Sequence, residues 1–353
     1  MAWPSEPRSR APGALYMIWI TMFQTPPLEA PAVFTAGLLS LAVCLLLIPS
    51  PAMPRGASPP PPWAYPVNPP DMPAAKLGDG PVQLVHSTRT FLPAQLTDRF
   101  AAPDWYPEDH PEMPEVIARG RKPDVYACAY CHLPDGAGRP ENASLAGLPA
   151  DYIVQQLADM RAGTRRTAVP ERAPPTMMFA MTRAMSDAEI SAAAQYFSAL
   201  KPHNRTRVIE SASVPRTRVA GWFLAADANA PREPIGHRII EVPSNLERFE
   251  RRDERILILA YVPPGSIHAG RALVRTGGAG RTMVCSACHG ADLHGTGRIP
   301  AIAGRSPSYV VRQLYDIQSG ARAGAGTQPM RDVVRQLRVD DMISIASYLA
   351  TLQ

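Results

Sequence analysis

The stretch Val125–His132 reads VYACAYCH, and Thr282–His289, 157 positions further on, reads TMVCSACH. Both contain C-x-x-C-H, the spacing of covalent c-type haem attachment. Two cysteines three apart lie about one helical turn apart, so both can add to the vinyl groups of one haem. The histidine that follows is then the proximal iron ligand. One copy alone can also belong to a zinc site or a redox dithiol. Two copies favour haem, and their residues are Cys128, Cys131, His132, Cys285, Cys288 and His289.

The similarity between the two halves extends well beyond these motifs. A shift of 157 residues aligns Asp135/Asp292, Gly138/Gly295, Tyr152/Tyr309, Gln156/Gln313, Asp159/Asp316, Gly163/Gly320 and Arg165/Arg322. The shift then becomes 152, a deletion of five residues, and aligns Tyr196 with Tyr348 and Leu200 with Leu352. Such self-similarity at a fixed spacing indicates a duplicated domain.

The repeat also selects candidates for the second iron ligand. Met178 lies 18 residues before Tyr196, and Met330 lies 18 residues before Tyr348. The other methionines that follow the first histidine have no methionine at the aligned position. Met342 falls within the apolar pattern of the last helix and is predicted to be core. Methionine is also a common apolar filler, which is the alternative for any single one of them.

Composition limits the classes of function. The chain has 353 residues, 40 prolines and a formal charge of +5. Its basic residues are scattered and no aromatic-basic motif accompanies them, so nucleic acid is not an expected partner. The only lysines are Lys76, Lys122 and Lys201, so a ring of lysines for docking is excluded. Four of the five cysteines are assigned to haem, which leaves no disulfide framework.

We predict a mainly α-helical chain with two tandem haem domains and a small β-containing connector. An apolar run of 17 residues from Ala32 to Ile48 is marginal for a membrane span, which needs about 20. A cleaved signal peptide and a membrane anchor therefore both remain open for the N-terminus. The predicted boundaries are 1–53 for this segment, 54–110 for a proline-rich linker and extension, 111–202 for domain 1, 203–265 for the connector and 266–353 for domain 2.

Helix signals are clear in both haem domains. In domain 1 we predict a short helix from Met113 to Arg119, a helix from Ala150 to Ala162, and a proline-bearing loop from Arg165 to Thr176 that delivers Met178. Ser186 and Glu189 form a capping box that opens a further helix. In domain 2 the predicted helices are Ala269 to Val274, Tyr309 to Ser319 and Asp340 to Leu352.

The remaining segments are less regular. The proline-rich stretch from Pro49 to Pro73 predicts a semi-rigid polyproline spacer or a disordered linker. Apolar residues between Leu77 and Phe100 indicate a short strand and a helix. In the connector, Arg238 to Pro243 and Arg255 to Val262 predict a β-hairpin. The charged stretch between them, Leu246 to Glu254, is expected to be solvated.

On these motifs the two halves resemble class I c-type cytochromes, and their tandem arrangement is similar to that of di-haem cytochromes of the cytochrome c4 type. Shared elements include Leu145-Ala-Gly and Ile302-Ala-Gly. The resemblance implies two covalent haem c groups with His/Met-ligated iron, and electron transfer in the bacterial periplasm, often at the membrane. It also implies a proline carbonyl that holds the histidine ring, for which Pro300 fits and Ala143 is the substitute. The long connector and the extension leave open whether the two domains dock face to face.

A His/Met ligand set (His132 with Met178, His289 with Met330) has no open iron position, so the expected function is single-electron transfer between respiratory redox partners. Two alternatives are a cytochrome subunit of a membrane oxidase or dehydrogenase complex, and a catalytic di-haem enzyme of the peroxidase or thiosulfate dehydrogenase type. Arg165 and Arg322 are expected near the haem propionates because guanidinium groups bind carboxylates with two parallel hydrogen bonds. Solvated surface arginines are the alternative for this pair.

Overall fold

The computed structural model describes residues 59–353, so the predicted signal peptide or anchor at 1–53 lies outside the described residues. Within the described part, the chain forms two helical halves separated by a segment rich in short strands. None of the helices in that part combines the length and the apolar character needed to cross a bilayer.

The extension that precedes the first haem motif contains a helix, as the sequence predicts, and two short strands where one was predicted. These elements are β1 (Val82–Gln83), β2 (Thr90–Phe91) and α1 (Pro93–Thr97). They enclose a small core of their own in which Trp105 and Tyr106 are fully buried. The Trp105 indole donates a hydrogen bond to the carbonyl of Arg251 at 2.8 Å, which ties the extension to the connector.

The first half is built around helices that surround its haem motif. Its elements are α2 (Glu115–Ala118), β3 (Gly120–Arg121), β4 (Val125–Tyr126), α3 (Cys128–His132), α4 (Ala150–Arg161), α5 (Ala173–Ala184) and α6 (Asp187–Ala199). The predicted capping box is confirmed, because the Glu189 amide donates to the Ser186 hydroxyl at 3.2 Å and the Ser186 amide donates to the Glu189 carboxylate at 2.7 Å. Apolar faces of α4 and α6 meet in a core that includes Ile153, Leu157 and Phe197.

The connector is more extensively folded than predicted. Its elements are β5 (Thr206–Glu210), β6 (Ser213–Val214), β7 (Thr217–Val219), β8 (Leu224–Ala226), β9 (Glu233–Pro234), β10 (Ile240–Pro243), α7 (Leu246–Glu250) and β11 (Ile258–Val262). The hairpin of β10 and β11 is confirmed, and β5 adds a parallel strand to it. The expected solvation of 246–254 is wrong, because Phe249, Asp253 and Glu254 are buried. Phe249 of α7 packs in an apolar cluster with Phe223 and Ile258.

The second half repeats the helical arrangement of the first. Its helices are α8 (Ser266–Thr276), α9 (Ser286–His289), α10 (Pro307–Gln318), α11 (Gln328–Val334) and α12 (Val339–Ala350). Helices α8 and α12 cross closely at Gly270, where any side chain would overlap the carbonyl of Ser344. Met342 is fully buried in this core, as the apolar pattern of the last helix predicts.

The described part of the proline-rich segment is not a free spacer, which corrects the prediction. A 3-10 turn at Pro62–Ala64 brings Tyr65 into the core of the second half. The Tyr65 hydroxyl donates to the Asp316 carboxylate at 2.8 Å, and Arg312 donates to the Ala64 carbonyl at 2.8 Å. The segment is held because an aromatic side chain and two polar groups find partners in the distant helix α10.

The two halves contact each other directly, so they dock against each other although the connector between them is long. Arg165 and Arg322 form an antiparallel β-bridge between them. The Arg166 amide donates to the Ala321 carbonyl at 2.8 Å, and the Ala323 amide donates to the Thr164 carbonyl at 2.7 Å. The aligned loops of the repeat therefore meet each other across the interface.

Candidate haem sites

Helix α3 carries the first C-x-x-C-H motif, and its histidine is held in one tautomer. His132 is 8% exposed, and its Nδ1 lies 2.8 Å from the carbonyl oxygen of Ala143. Because a carbonyl only accepts hydrogen bonds, Nδ1 is the donor and carries the proton. The lone pair of Nε2 is then free for a metal, which is the usual outer-shell arrangement of a histidine ligand.

The second motif has the same arrangement. His289 ends α9, and its Nδ1 lies 2.8 Å from the carbonyl oxygen of Pro300, again 11 residues further along the chain. The resemblance implies this bond for Pro300. The structure shows that Ala143 supplies the equivalent carbonyl in the first half, so the replacement of proline leaves the hydrogen bond intact.

The protonation of these groups suits haem attachment better than redox dithiol chemistry. Burial raises the pKa of the Cys128 thiol to about 12 and that of the Cys285 thiol to about 11. Redox-active cysteines have lowered pKa values instead. Burial also lowers the pKa of His132 and of His289, so both imidazoles are neutral near pH 7, as metal ligation requires.

A cavity beside the first motif contains one of the predicted methionines. Cys128, Cys131, His132 and Met178 all line it, together with Met160, Met181 and Met185. Met178 lies on helix α5, which begins at Ala173 inside the predicted loop, because Pro174 and Pro175 fit the first turn of a helix. Met177 does not line this cavity, and its sulfur lies 4.0 Å from a guanidinium nitrogen of Arg99.

Met330 occupies a comparable place in the second half. It lies on helix α11, and it packs half-buried against the same apolar core as Cys285. Thr282, which begins the second motif stretch, donates a hydrogen bond to the Val333 carbonyl of α11 at 2.8 Å. The methionine-bearing helix and the motif are thus adjacent in both halves.

Arg165 and Arg322 form a cross-connected network at the interface of the halves. Arg165 donates to Tyr309 and Gln313 of the second half, each at 3.3 Å. Arg322 donates to Tyr152 at 2.9 Å and to Gln156 at 2.7 Å in the first half. These contacts relate the two halves by an approximate twofold axis, because every residue in them has its partner in the repeat. Arg165, Tyr309 and Gln313 also line the cavity of the first motif.

One further arginine at this cavity is absent from the predicted site. Arg172 is 2% exposed and lines the cavity, where one of its terminal nitrogens donates to the Glu141 carbonyl at 2.9 Å. Its Nε has no hydrogen-bond partner among the described residues, and burial lowers its pKa. A buried cation of this kind needs an anionic partner. No equivalent arginine occurs at the aligned position, so the repeat gave no signal for it.

The residues around the first cavity fit a haem. The cavity is apolar, and five of its lining residues are groups that could hold a haem. These are Cys128 and Cys131 at the attachment spacing, His132 with a free Nε2, Met178 as the candidate sulfur ligand, and Arg172 with its buried guanidinium. Cysteine thioethers, an axial nitrogen and a cation for a propionate are the groups that a haem c requires.

Comparisons with known proteins agree with this fit. Residues 117–201 match the Cytochrome c family. The chain is 27% identical to cytochrome c4 of Azotobacter vinelandii over 234 residues, which covers 64% of this chain and 84% of that protein. The chain is a c-type cytochrome that resembles cytochrome c4. It carries covalently bound haem c, one group for each C-x-x-C-H motif, and haem c electron transfer is its activity.

Other relatives of this cytochrome have names that refer to sulfur oxidation. It is 25% identical to the thiosulfate dehydrogenase electron acceptor of Thiomonas intermedia, with 65% of this chain and 79% of that protein covered.

A solved cytochrome c4 structure from Acidithiobacillus ferrooxidans has 22% identity and a TM-score of 0.43, and the match covers 64% of this chain and 98% of that one.

Proposed function

We propose that this cytochrome is a di-haem electron carrier in which each iron has one histidine and one methionine ligand. The pairs are His132 with Met178 and His289 with Met330. The observation that carries the proposal is the pair of equivalent histidines, each held by a backbone carbonyl at Nδ1 and each next to a methionine-bearing helix.

The protein would hold each haem, enclose it and tune its reduction potential. When bound, haem c accepts and releases one electron at its iron. With Met178 and Met330 as ligands beside the two histidines, the bound haems would offer no free position to oxygen or peroxide. On this proposal the transfer is outer-sphere, and the chain is a carrier rather than an enzyme. Apolar walls around the first cavity favour the less charged ferrous form and raise the potential. Arg165 and Arg322 are proposed to lie near propionates and to act in the same direction.

For the redox partner we propose a dehydrogenase on the donor side. The support is that one relative is named as the electron acceptor of thiosulfate dehydrogenase and another as the cytochrome subunit of sulfide dehydrogenase. A subunit role in a membrane dehydrogenase or oxidase complex shares this chemistry and is the second candidate. A catalytic di-haem enzyme is the third, and it requires an open or differently ligated iron.

The proposed location is the periplasm, because covalent haem attachment takes place after export and the N-terminal apolar run is the signal for it. Attachment to the cytoplasmic membrane and release after cleavage are both compatible with that run. Sequencing the mature N-terminus from membrane and soluble fractions separates the two. A start near Met53 in the soluble fraction excludes the anchor.

The haem count and ligands are tested on the mature protein. Its mass should exceed that of the polypeptide by two haem groups, and acid solvent should extract neither of them. Met178→Ala should remove about half of the weak near-infrared band of methionine-ligated ferric haem and open that iron to carbon monoxide. Met177→Ala is the control, because its side chain faces Arg99, and it should change neither property. A defect in Met177→Ala alone would refute the assignment.

The arginine assignment has a separate readout. Arg322→Gln removes a buried positive charge and should lower the reduction potential of the second haem, since a nearby cation disfavours the ferric state. Potentiometric titration should resolve the two haems, because their surroundings differ. An unchanged potential in the variant would place Arg322 away from the haem.

A further inference from the structure

The two haem motifs of this cytochrome differ sharply in exposure at equivalent positions. Tyr130, Asp135 and Glu141 in the first half are at most 7% exposed. Their partners in the repeat, which are Ala287, Asp292 and Arg298, are all exposed. Cys131 is half-buried, whereas Cys288 is exposed. The difference lies in what covers the motifs, since the local fold around them is the same.

The connector covers the first motif. The guanidinium of Arg252 lies 3.4 Å from the ring centroid of Tyr130, and its Nη1 donates to the Tyr130 carbonyl at 2.6 Å. Arg139, which follows the motif, stacks 3.8 Å from the ring centroid of Phe249 in α7. Residues 72–76, at the end of the proline-rich segment and directly after it, line the same space next to Cys131. We call the connector and these residues the cover of the first motif.

The second motif has no such cover within residues 59–353. Met283 is 54% exposed there, and Ile299 is 37% exposed. Large apolar side chains on a surface next to a redox cofactor are suited to contact with another protein. Helix α11 borders this surface through the hydrogen bond between Thr282 and Val333. Exposed Arg331 lies on α11, and exposed Arg335 follows its last residue.

Charge separates the halves in the same way. Residues 111–202 contain ten basic and ten acidic residues and are neutral. Residues 266–353 contain ten arginines and no lysine, against five aspartates and no glutamate, and carry a formal charge of +5. Five of these arginines are exposed: Arg271, Arg298, Arg331, Arg335 and Arg338. The absence of a lysine ring therefore does not remove a basic face, because arginine supplies it.

We infer that the uncovered surface of the second half is the docking surface for an acidic redox protein. Its apolar centre is Met283, Ala287 and Cys288, and its basic edge includes Arg331 and Arg335. The first haem exchanges electrons with proteins through the second, because the cover keeps protein surfaces away from its motif. This inference rests on the proposed carrier function. It adds to that function the surface through which electrons are exchanged and the charge of the partner.

The test measures electron transfer from the reduced di-haem protein to an oxidised acidic blue-copper protein by stopped flow. The second-order rate constant should fall at least about tenfold between about 10 mM and about 300 mM salt, because screening removes electrostatic steering. A basic blue-copper protein should react more slowly at low salt and gain speed as salt is added.

Two matched variants test the position of the docking surface. Arg335 has a side chain 69% exposed with Asp332 as its partner, and Arg119 in the first half has a side chain 70% exposed with Glu115 as its partner. Arg335→Gln should lower the low-salt rate constant about threefold, and Arg119→Gln should leave it unchanged. Equal effects of the two variants, or a rate constant independent of salt, would overturn the inference.

Hexacyanoferrate(III) separates failure of this inference from failure of the proposed function. This small oxidant should oxidise both haems in the wild type and in both variants. If it does so while the blue-copper protein shows no dependence on charge, the carrier function stands and the docking surface is wrong. If the reduced protein does not transfer electrons to hexacyanoferrate(III), the carrier function fails, and the inference that depends on it fails too.

Discussion

The arginine network between the two halves should be asymmetric in energy although it is symmetric in sequence. Arg322 is 7% exposed and donates to the Tyr152 hydroxyl at 2.9 Å. Arg165 is only half-buried, and it donates to the equivalent Tyr309 hydroxyl at 3.3 Å. The shorter bond from the more buried cation is expected to contribute more to stability, because less water competes for it.

The expected magnitudes follow from these contacts. Tyr152→Phe removes one acceptor from a buried guanidinium that keeps two others, Gln156 and Gln313, so the free energy of unfolding should fall by about 1–2 kcal/mol. Tyr309→Phe should cost about 0.5 kcal/mol, because the longer bond is partly replaced by water. Both substitutions leave the aromatic ring in place, so packing is unchanged.

Guanidinium unfolding of the haem-loaded protein, followed by absorption and by circular dichroism, measures these differences. A double-mutant cycle of Arg322→Gln with Tyr152→Phe should give a coupling energy of about 1 kcal/mol. Arg322→Gln with Tyr309→Phe should be close to additive. If Tyr309→Phe costs as much as Tyr152→Phe, or if the first cycle is additive, the reasoning from burial and distance is refuted.

Two further predictions concern segments outside the network. Tyr65→Phe should lower the free energy of unfolding by about 1–2 kcal/mol, because the buried Asp316 carboxylate loses a donor. Tyr261→Phe, whose hydroxyl makes no hydrogen bond in the described structure, should cost less than about 0.5 kcal/mol. Glu189→Gln should cost about 0.5 kcal/mol at pH 7 after solvent screening. The Arg121 hydrogen bond lowers the pKa of Glu189 from its ordinary 4.5 to about 2, so the charge stabilises the fold above pH 4.5, and this difference is lost as the pH falls toward 2.

The same unfolding measurements can contradict these two predictions. Equal losses for Tyr65→Phe and Tyr261→Phe would mean that the Tyr65 hydroxyl does not anchor the proline-rich segment. If Glu189→Gln lowers the free energy of unfolding as much at pH 2.5 as at pH 7, the loss comes from the altered helix cap and not from the charge of Glu189.

The sequence alone predicted the parts of this cytochrome that depend on short-range spacing. Two cysteines and a histidine at C-x-x-C-H report their chemistry without any tertiary information, and the duplication repeats it. Helix starts such as Ser186 and Glu189 were predictable for the same reason, since a capping box is complete within four residues. The hairpin of β10 and β11 also follows from local apolar character.

Tertiary structure decided which distant segments meet. Tyr65 reaches helix α10 across about 250 residues of chain, and no local pattern marks its partner. The cover of the first motif depends likewise on Arg252 meeting Tyr130 from a connector that reads as charged and solvated. Local propensity fixes backbone conformation over a few residues. Burial of a charge or an aromatic ring depends on the whole set of surfaces that collapse together, so the difference in exposure between two haem motifs of the same spacing became visible only in the folded chain.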